Sequence, residues 1–125
     1  MIKLYGSVFA LAGIYLWAII EGGELANFIN YPALVVVIVP AFLFSISGSK
    51  DIKTRVNNFS SGAVLAGWIG TFIGVIMIAL NFDFATWQEF LPPATAIGLL
   101  TVLYGYIAKA MCFLIAENLP EGKGE

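Results

Sequence analysis

The sequence predicts an all-α membrane protein with four transmembrane helices, because a very apolar composition is divided into four long, nearly uncharged runs. Of the 125 residues, 60% are hydrophobic and only 11% are charged, and the mean hydropathy is +0.92. A soluble domain carries about 25% charged residues, so these values indicate an integral membrane protein. One crossing takes about 20 residues, so the length allows a single domain with four crossings and little else.

The first two runs predict transmembrane helices over residues 4–20 and 32–47. The first run follows Lys3 and has the basic start and apolar centre of a cleaved signal peptide. Its apolar stretch continues as far as Ile20, however, which favours a retained helix. The second run is rich in β-branched residues, but lipid permits only helices or closed barrels, and no alternating polar pattern supports a barrel. Pro40 in its interior predicts a kinked helix.

The last two runs predict transmembrane helices over residues 62–80 and 93–116, each with small residues along one face. In the third run they recur at every fourth position, and in the fourth run at alternating steps of four and three. They are Gly62, Ala66, Gly70 and Gly74 in the third run, and Ala94, Gly98, Thr101, Gly105, Ala108 and Cys112 in the fourth. Such faces let two backbones approach closely, so we expect a tightly packed antiparallel hairpin.

The connecting segments predict the orientation in the membrane. Basic residues occur before the first run, in the middle loop over residues 48–60 and near the C-terminus, at Lys3, Lys50, Lys53, Arg55, Lys109 and Lys123. The other two loops, residues 21–31 and 81–92, contain no Lys or Arg. The positive-inside rule therefore predicts two antiparallel hairpins, with both termini and the middle loop in the cytoplasm.

Two local patterns predict further helical turns. Ile52, Val56 and Phe59 recur at helical spacing, which is a weak signal for amphipathic turns on the inner membrane surface. Residues 86–89 have the spacing of a capping box. We expect them to begin a short interfacial helix, after which Pro92 and Pro93 restart the chain as the fourth transmembrane helix.

The composition excludes several classes of function. The chain has no His and one Cys, so it cannot build a His-based metal or catalytic site or a disulfide within the chain. Cys112 lies in an apolar run, where packing is its simplest role. A net charge of −2 without a basic cluster argues against nucleic acid as a partner. The sequence also lacks hydrolase motifs and phosphate-binding glycine loops, so it predicts no enzyme, no catalytic residues and no cofactor.

The absence of a carboxylate deep in any run bears on transport. A proton or cation carrier normally holds an ionisable group within the membrane interior. Lys109 is the nearest case here, and two interpretations of it stay open. Its long stem could snorkel to the cytoplasmic surface, or its charge could lie near the inner mouth of a pathway. If protons move through this protein, we expect the titrating carboxylate to belong to another polypeptide.

Three segments in order carry a resemblance to a known family. Residues 22–39 resemble the first outer loop and second helix of the MotA-type flagellar stator subunit. Residues 70–74, Gly-Thr-Phe-Ile-Gly, resemble the Gly-Thr-x-x-Gly of its third helix. Residues 96–105 are similar to the Ala-x-Ala-Leu-Leu-Thr-Thr-x-Tyr-Gly of its fourth helix. Since the separations and predicted orientation also fit, the chain resembles the MotA/TolQ/ExbB proton-channel family over nearly its whole length.

The resemblance implies a homo-pentameric ring in a bacterial-type inner membrane, around single-helix partners of the MotB/TolR/ExbD type. A membrane Asp of the partner would carry the proton or sodium ion, and Thr71 and Thr101 would line its path. The helices would close around that path at Gly70, Gly74, Gly98 and Gly105, with Tyr104 nearby. Alternatively, Thr71 and Thr101 could only hydrogen-bond to carbonyls one turn earlier, as membrane threonines commonly do.

Four departures from the family pattern bear on function. Val102 stands where the family has a second threonine, which bears on ion selectivity and conduction. Pro40 replaces a small residue, and no Pro occurs between residues 113 and 116, where the family has one. The middle loop lacks the large cytoplasmic domain with which MotA-type subunits push on a rotor. A compact ring confined to the membrane is therefore the expected form.

Three hypotheses for function remain from the sequence. The first is an ion-channel subunit that energises a partner, as in a stator or motor complex. The second is a non-conducting membrane scaffold or minimal homo-oligomer, which Val102 favours. The third is a small four-helix exporter, but such carriers need a deep carboxylate, and Glu21 at a helix end is a poor candidate.

Overall fold

Four α-helices make up the chain in a computed structural model, which describes residues 2–48 and 50–120. They are α1 (Ile2–Gly22), α2 (Tyr31–Ile46), α3 (Ile52–Leu80) and α4 (Trp87–Glu117), and a single 3-10 turn, Leu25–Phe28, precedes α2. The predicted all-helical fold is confirmed. Helices α1, α3 and α4 are long and apolar enough to cross a membrane. With 16 residues, α2 is about 24 Å long, which is less than the roughly 30 Å of a bilayer's hydrocarbon core.

The antiparallel pair α3–α4 forms the centre of the bundle. A Cβ atom added at Gly67 would lie 2.7 Å from the carbonyl oxygen of Thr101, and one added at Gly105 would lie 2.6 Å from that of Ala63. The backbones therefore touch at two places, and only glycine fits there. The predicted tight α3–α4 pair is present, but on α3 its backbone contacts lie at Ala63 and Gly67, off the predicted row of residues four apart.

Helix α2 packs antiparallel to α3 and also contacts α4. An added Cβ at Gly62 would lie 2.8 Å from Cβ of Phe44, and one at Gly70 would lie 3.1 Å from Cγ1 of Val36. The fully buried side chains at this junction are Val37, Ala41 and Ala63. Of the predicted groove, Gly62 thus receives α2, and Gly70 receives both α2 and α4.

Helix α1 stands at the edge of the bundle and has no buried residue. It contacts α4 and the 25–28 turn, and within the described residues it has no extensive packing against α2. The first two helices therefore do not form a closely packed hairpin like that of α3 and α4. The eight residues between α1 and α2 leave enough chain for the two helices to dock on different sides of α4.

The middle loop is shorter than predicted, because residues 52–60 are helical and belong to α3. Asp51 caps this helix: the backbone N–H and the hydroxyl of Thr54 donate to its carboxylate, each at 2.9 Å. These bonds, led by the one from the backbone, lower the pKa of Asp51. The cap is therefore present above the ordinary pKa of Asp and is lost as pH falls through the lowered value. The weak amphipathic signal belonged to the first turns of α3, where Phe59 packs against the core.

Proline residues do not divide the helices as expected. Helix α4 runs unbroken from Trp87 through Pro92 and Pro93, so the predicted restart is wrong. These prolines leave the carbonyls of residues 88 and 89 without helical partners, and both residues are exposed near the helix start. Helix α2 also continues through Pro40, where the sequence predicts a kink and no break.

The predicted capping box at the start of α4 is also wrong, because the Thr86 side chain makes no capping bond. Instead, the Thr86 hydroxyl donates to Asp83 at 3.3 Å, and the same carboxylate accepts the N–H of Ala85 at 3.0 Å. The turn before α4 is therefore organised by Asp83. Lys123, one of the cations used to predict orientation, lies outside the described residues.

We expect Gly67→Ala and Gly105→Ala each to destabilise the protein by about 1–3 kcal/mol, because the new methyl group would overlap a backbone oxygen of the facing helix. Gly74→Ala is the matched control on α3, since no atom lies within 4 Å of its added Cβ. Thermal unfolding in detergent, followed by circular dichroism, measures all three. Equal melting temperatures for Gly67→Ala and Gly74→Ala would contradict the close approach.

Candidate functional site

Two threonine hydroxyls meet at the contact between α3 and α4. The Oγ1 atoms of Thr71 and Thr101 lie 2.9 Å apart, although 30 positions separate the two residues in the chain. Thr101 is only 5% exposed, and Thr71 is half-buried. The structure therefore brings together the two residues that the resemblance assigns to an ion path.

Each of the two hydroxyls also reaches a carbonyl of both helices. Thr71 Oγ1 lies 3.0 Å from the carbonyl oxygen of Gly67 and 2.7 Å from that of Gly98. Thr101 Oγ1 lies 3.1 Å and 2.7 Å from the same two oxygens. We call these four residues the hydroxyl cluster. The bonds to carbonyls one turn earlier that the sequence left as an alternative are present, and bonds to the facing helix accompany them.

The hydroxyl cluster has more short contacts than protons. Its two hydroxyls offer two protons for five oxygen–oxygen contacts of 3.1 Å or less. Because a hydroxyl rotates to suit its acceptors, several donor arrangements satisfy the same oxygen positions. The cluster is thus a small polar network that can donate to or accept from a further group without any side chain changing charge.

Gly67 explains how the cluster forms, and the sequence analysis missed it. Gly67 lies one position off the predicted row of residues four apart, which consists of Gly62, Ala66, Gly70 and Gly74. Its missing side chain lets the α4 backbone come close enough for Thr101 to reach the Gly67 carbonyl. A spacing of alternating four and three residues through Ala63, Gly67, Gly70 and Gly74 would have included it.

The predicted glycines have different surroundings. Gly70 lies where three helices meet, since its added Cβ would be 3.1 Å from Val36 and 3.4 Å from Cγ2 of Thr101. Gly98 contributes a carbonyl to the cluster, and Gly105 forms the second backbone contact with α3. At Gly74 the space is open instead.

A small cavity lies beside the hydroxyl cluster. It has a volume of about 130 Å³, and Thr71, Gly74 and Gly98 are part of its wall. The rest of the wall is mostly apolar, except for Thr95, whose hydroxyl donates to the carbonyl of Leu91 at 2.8 Å. The missing side chains of the two glycines therefore leave room next to Thr71.

Tyr104 acts away from the cluster and holds the chain before α2. Its hydroxyl donates to the carbonyl of Phe28 and accepts the backbone N–H of Asn30 at 2.9 Å. Asn30 is the N-cap of α2, and its side chain accepts the N–H of Ala33 at 3.0 Å. Residues 28–30 are therefore fixed against the middle of α4, a contact that sequence reasoning missed because it joins positions 74 and 76 apart.

Lys109 and Val102 also lie apart from the hydroxyl cluster. Lys109 is exposed in a groove between α1 and α4. Val102 lines a cavity of about 660 Å³ between α4 and the 25–28 turn, and does not contribute to the cavity beside Thr71. The departure from the family at Val102 thus faces a different part of the molecule from the two threonines.

Comparison with known proteins adds no relative to this picture. The chain matches no protein-family model, no curated protein and no solved structure.

We expect Thr71→Val and Thr101→Val to be coupled, because each removes a partner of the other hydroxyl. The double variant should lose less stability than the sum of the single losses, by about 0.6 kcal/mol. Thr95→Val paired with Thr71→Val is the control cycle, since Thr95 bonds only within α4. Unfolding equilibria in detergent give the energies. Strict additivity in the first cycle would contradict a shared network.

We expect Tyr104→Phe to destabilise the protein by about 1–3 kcal/mol, since it leaves the N–H of Asn30 and the carbonyl of Phe28 without their partner. Hydrogen exchange at residues 28–31 should increase selectively. Tyr106→Phe is the control, because its hydroxyl makes only one long bond, accepting from Trp68 Nε1 at 3.4 Å. Similar exchange in both variants would show that Tyr104 does not hold this segment.

Proposed function

We propose that this chain is a channel-forming membrane subunit that conducts an ion together with a partner helix. The observation that carries the proposal is the hydroxyl cluster, a polar network at the centre of a hairpin whose sequence has no Asp or Glu between Leu91 and Ala116 or between Ile52 and Leu80. A site of hydroxyls and carbonyls can pass or solvate a proton or cation. It cannot hold the charge by itself, so a carboxylate from another chain completes it.

More specifically, we propose a minimal member of the MotA/TolQ/ExbB type. In this proposal identical copies form a ring, of five subunits by the resemblance, around a single-helix partner whose membrane Asp carries a proton or sodium ion. The protein lies in the bacterial-type inner membrane with both termini in the cytoplasm. The connection between α2 and α3 spans only residues 47–51, so in this proposal the complex energises its partner within the membrane, without a rotor-pushing domain between these two helices.

The cavity beside Thr71 supports this assignment of roles. It places open space, about 130 Å³, beside Thr71, the one threonine of the cluster that is only half-buried. In the proposed complex a carboxylate of the partner reaches this space and accepts a hydrogen bond from Thr71. Its deprotonated form gains from that bond, and its neutral form leaves the site more readily, so protonation changes how strongly ring and partner hold each other.

A non-conducting scaffold is the second candidate function. The observation that favours it is that the cluster is satisfied within one chain: both hydroxyls have carbonyl partners, and Thr101 is almost fully buried. In that case the threonines only lock α3 to α4, and the exposed apolar surfaces assemble the ring or bind a partner without ion flux.

The first experiment purifies the chain from native membranes in mild detergent and determines its mass and image symmetry. A five-fold ring with two additional central helices supports the proposed complex. A ring whose centre is empty or filled with lipid favours the scaffold. A dimer would overturn the family assignment.

We expect Thr71→Val to reduce ion flux at least tenfold in vesicles that contain the purified complex, because valine keeps the shape of threonine but cannot bond to the carboxylate. Thr71→Ser keeps the hydroxyl and should retain most of the flux. Both variants should assemble as the wild type does, which gel filtration checks. Unchanged flux in Thr71→Val would remove Thr71 from the pathway and leave the scaffold interpretation standing.

A further inference from the structure

A groove between α1 and α4 has no role in the function proposed above. It has a volume of about 480 Å³, and most of its wall consists of Leu11, Tyr15, Tyr106, Lys109, Phe113 and Leu114. It exists because α1 touches α4 only lightly and buries none of its own residues. The groove is apolar apart from one ammonium group and two phenol hydroxyls.

The polar groups of this groove have protons to donate, and among the described residues no acceptor takes them. Within residues 2–48 and 50–120, Lys109 has neither an ion pair nor a hydrogen bond. The hydroxyl of Tyr106 accepts from Trp68 Nε1, so its own proton is left to donate. In the part of the chain that the structure describes, no carboxylate contributes to the wall. The complementary ligand therefore carries a negative charge and several acceptor oxygens, as a phosphate group does.

The apolar part of the site has the length of one membrane leaflet. Tyr106 lies in the wall of this groove and also in the wall of the 660 Å³ cavity next to it, which is lined by Leu99, Leu100 and Leu103. From Lys109 to Leu99 the helix rises about 15 Å, which equals half of a roughly 30 Å hydrocarbon core. A chain anchored at Lys109 can therefore follow an apolar surface as far as the centre of the bilayer.

We propose that the α1–α4 groove binds an anionic phospholipid, with its phosphate at Lys109 and the tyrosine hydroxyls and an acyl chain along α4. Basic pockets between transmembrane helices are typical sites for anionic lipid headgroups. In the proposed orientation Lys109 lies in the cytoplasmic half of α4, so the lipid comes from the inner leaflet, and the stem of Lys109 lets its ammonium reach the phosphate level. The lipid fills the space that α1 leaves and fixes this helix to the bundle.

The test measures thermal stabilisation of the detergent-purified protein by added phosphatidylglycerol and phosphatidylcholine, together with lipid retained in native mass spectra. Wild type should prefer phosphatidylglycerol. Lys109→Gln should weaken its binding about fivefold, and Lys109→Arg should keep it. Lys53→Gln is the control, since this cation lies in the first turn of α3 and outside the groove. The measurement needs neither flux nor a partner, so it is independent of the proposed channel function.

Three results would overturn the lipid site. The first is an unchanged preference for phosphatidylglycerol in Lys109→Gln, and the second is an equal loss in Lys53→Gln, which would show general charge attraction. The third is a disulfide between two chains in the variant Phe113→Cys, made in a Cys112→Ala background. Such a bond would show that a second copy of the chain occupies the groove. Tyr106→Phe should lower the preference further in the Lys109→Gln background if the phenol shares the phosphate.

Discussion

The close approach of the α3 and α4 backbones is the constraint on which the rest of this structure depends. It occurs at Gly67 and Gly105, where a facing carbonyl oxygen occupies the place of a side chain. In lipid, apolar burial gives helices little reason to associate, so dispersion contacts and interhelical hydrogen bonds hold such a pair together. The glycines provide both, because the same approach that maximises contact brings the Gly67 carbonyl within reach of Thr101. The polar cluster is therefore a consequence of the packing and also reinforces it.

The remaining two helices pack against this pair less closely, and α1 packs less closely than α2. Helix α2 uses Gly62 and Gly70 to settle against α3, and its start is held by Tyr104 of α4. No glycine of α1 makes a contact closer than 3.8 Å, and the helix has no buried side chain. Local stability follows buried contact, so α1 is the element that a lipid or a neighbouring subunit can move most easily. The polar centre at α3 and α4 is therefore the rigid part of the bundle, and α1 at its edge is the part that moves most easily.

The sequence predicted those features of the fold that the spacing of residues along a helix and the composition determine. Uncharged runs gave four helices, and small residues at helical spacing predicted a tight α3–α4 pair. The sequence did not predict which residues face which neighbouring helix. A helix repeats every 3.6 residues, so a row of residues four apart drifts around it. Gly62 and Gly70 therefore contact α2, while Gly67 contacts α4. Long-range bonds such as that of Tyr104 to Asn30 leave no local pattern. The prediction that the chain restarts at Pro92 and Pro93 was wrong, because an exposed helix start tolerates missing hydrogen bonds that a helix interior would not.

The hydrogen bonding of the cluster bears on the choice between the proposed ion path and a purely structural link between the two helices. A purely structural pair of threonines needs one acceptor for each proton, and each hydroxyl here has its own helical carbonyl within 3.0 Å. The remaining contacts cross between the helices and give the protons alternative positions. A network with spare acceptors responds to an added donor or acceptor by rotating hydroxyls, without desolvating a charge of its own. A structural link between helices does not require this property, whereas it suits the proposed site for another chain's titrating group, and Thr71 of the pair lines the cavity that this proposal assigns to that group.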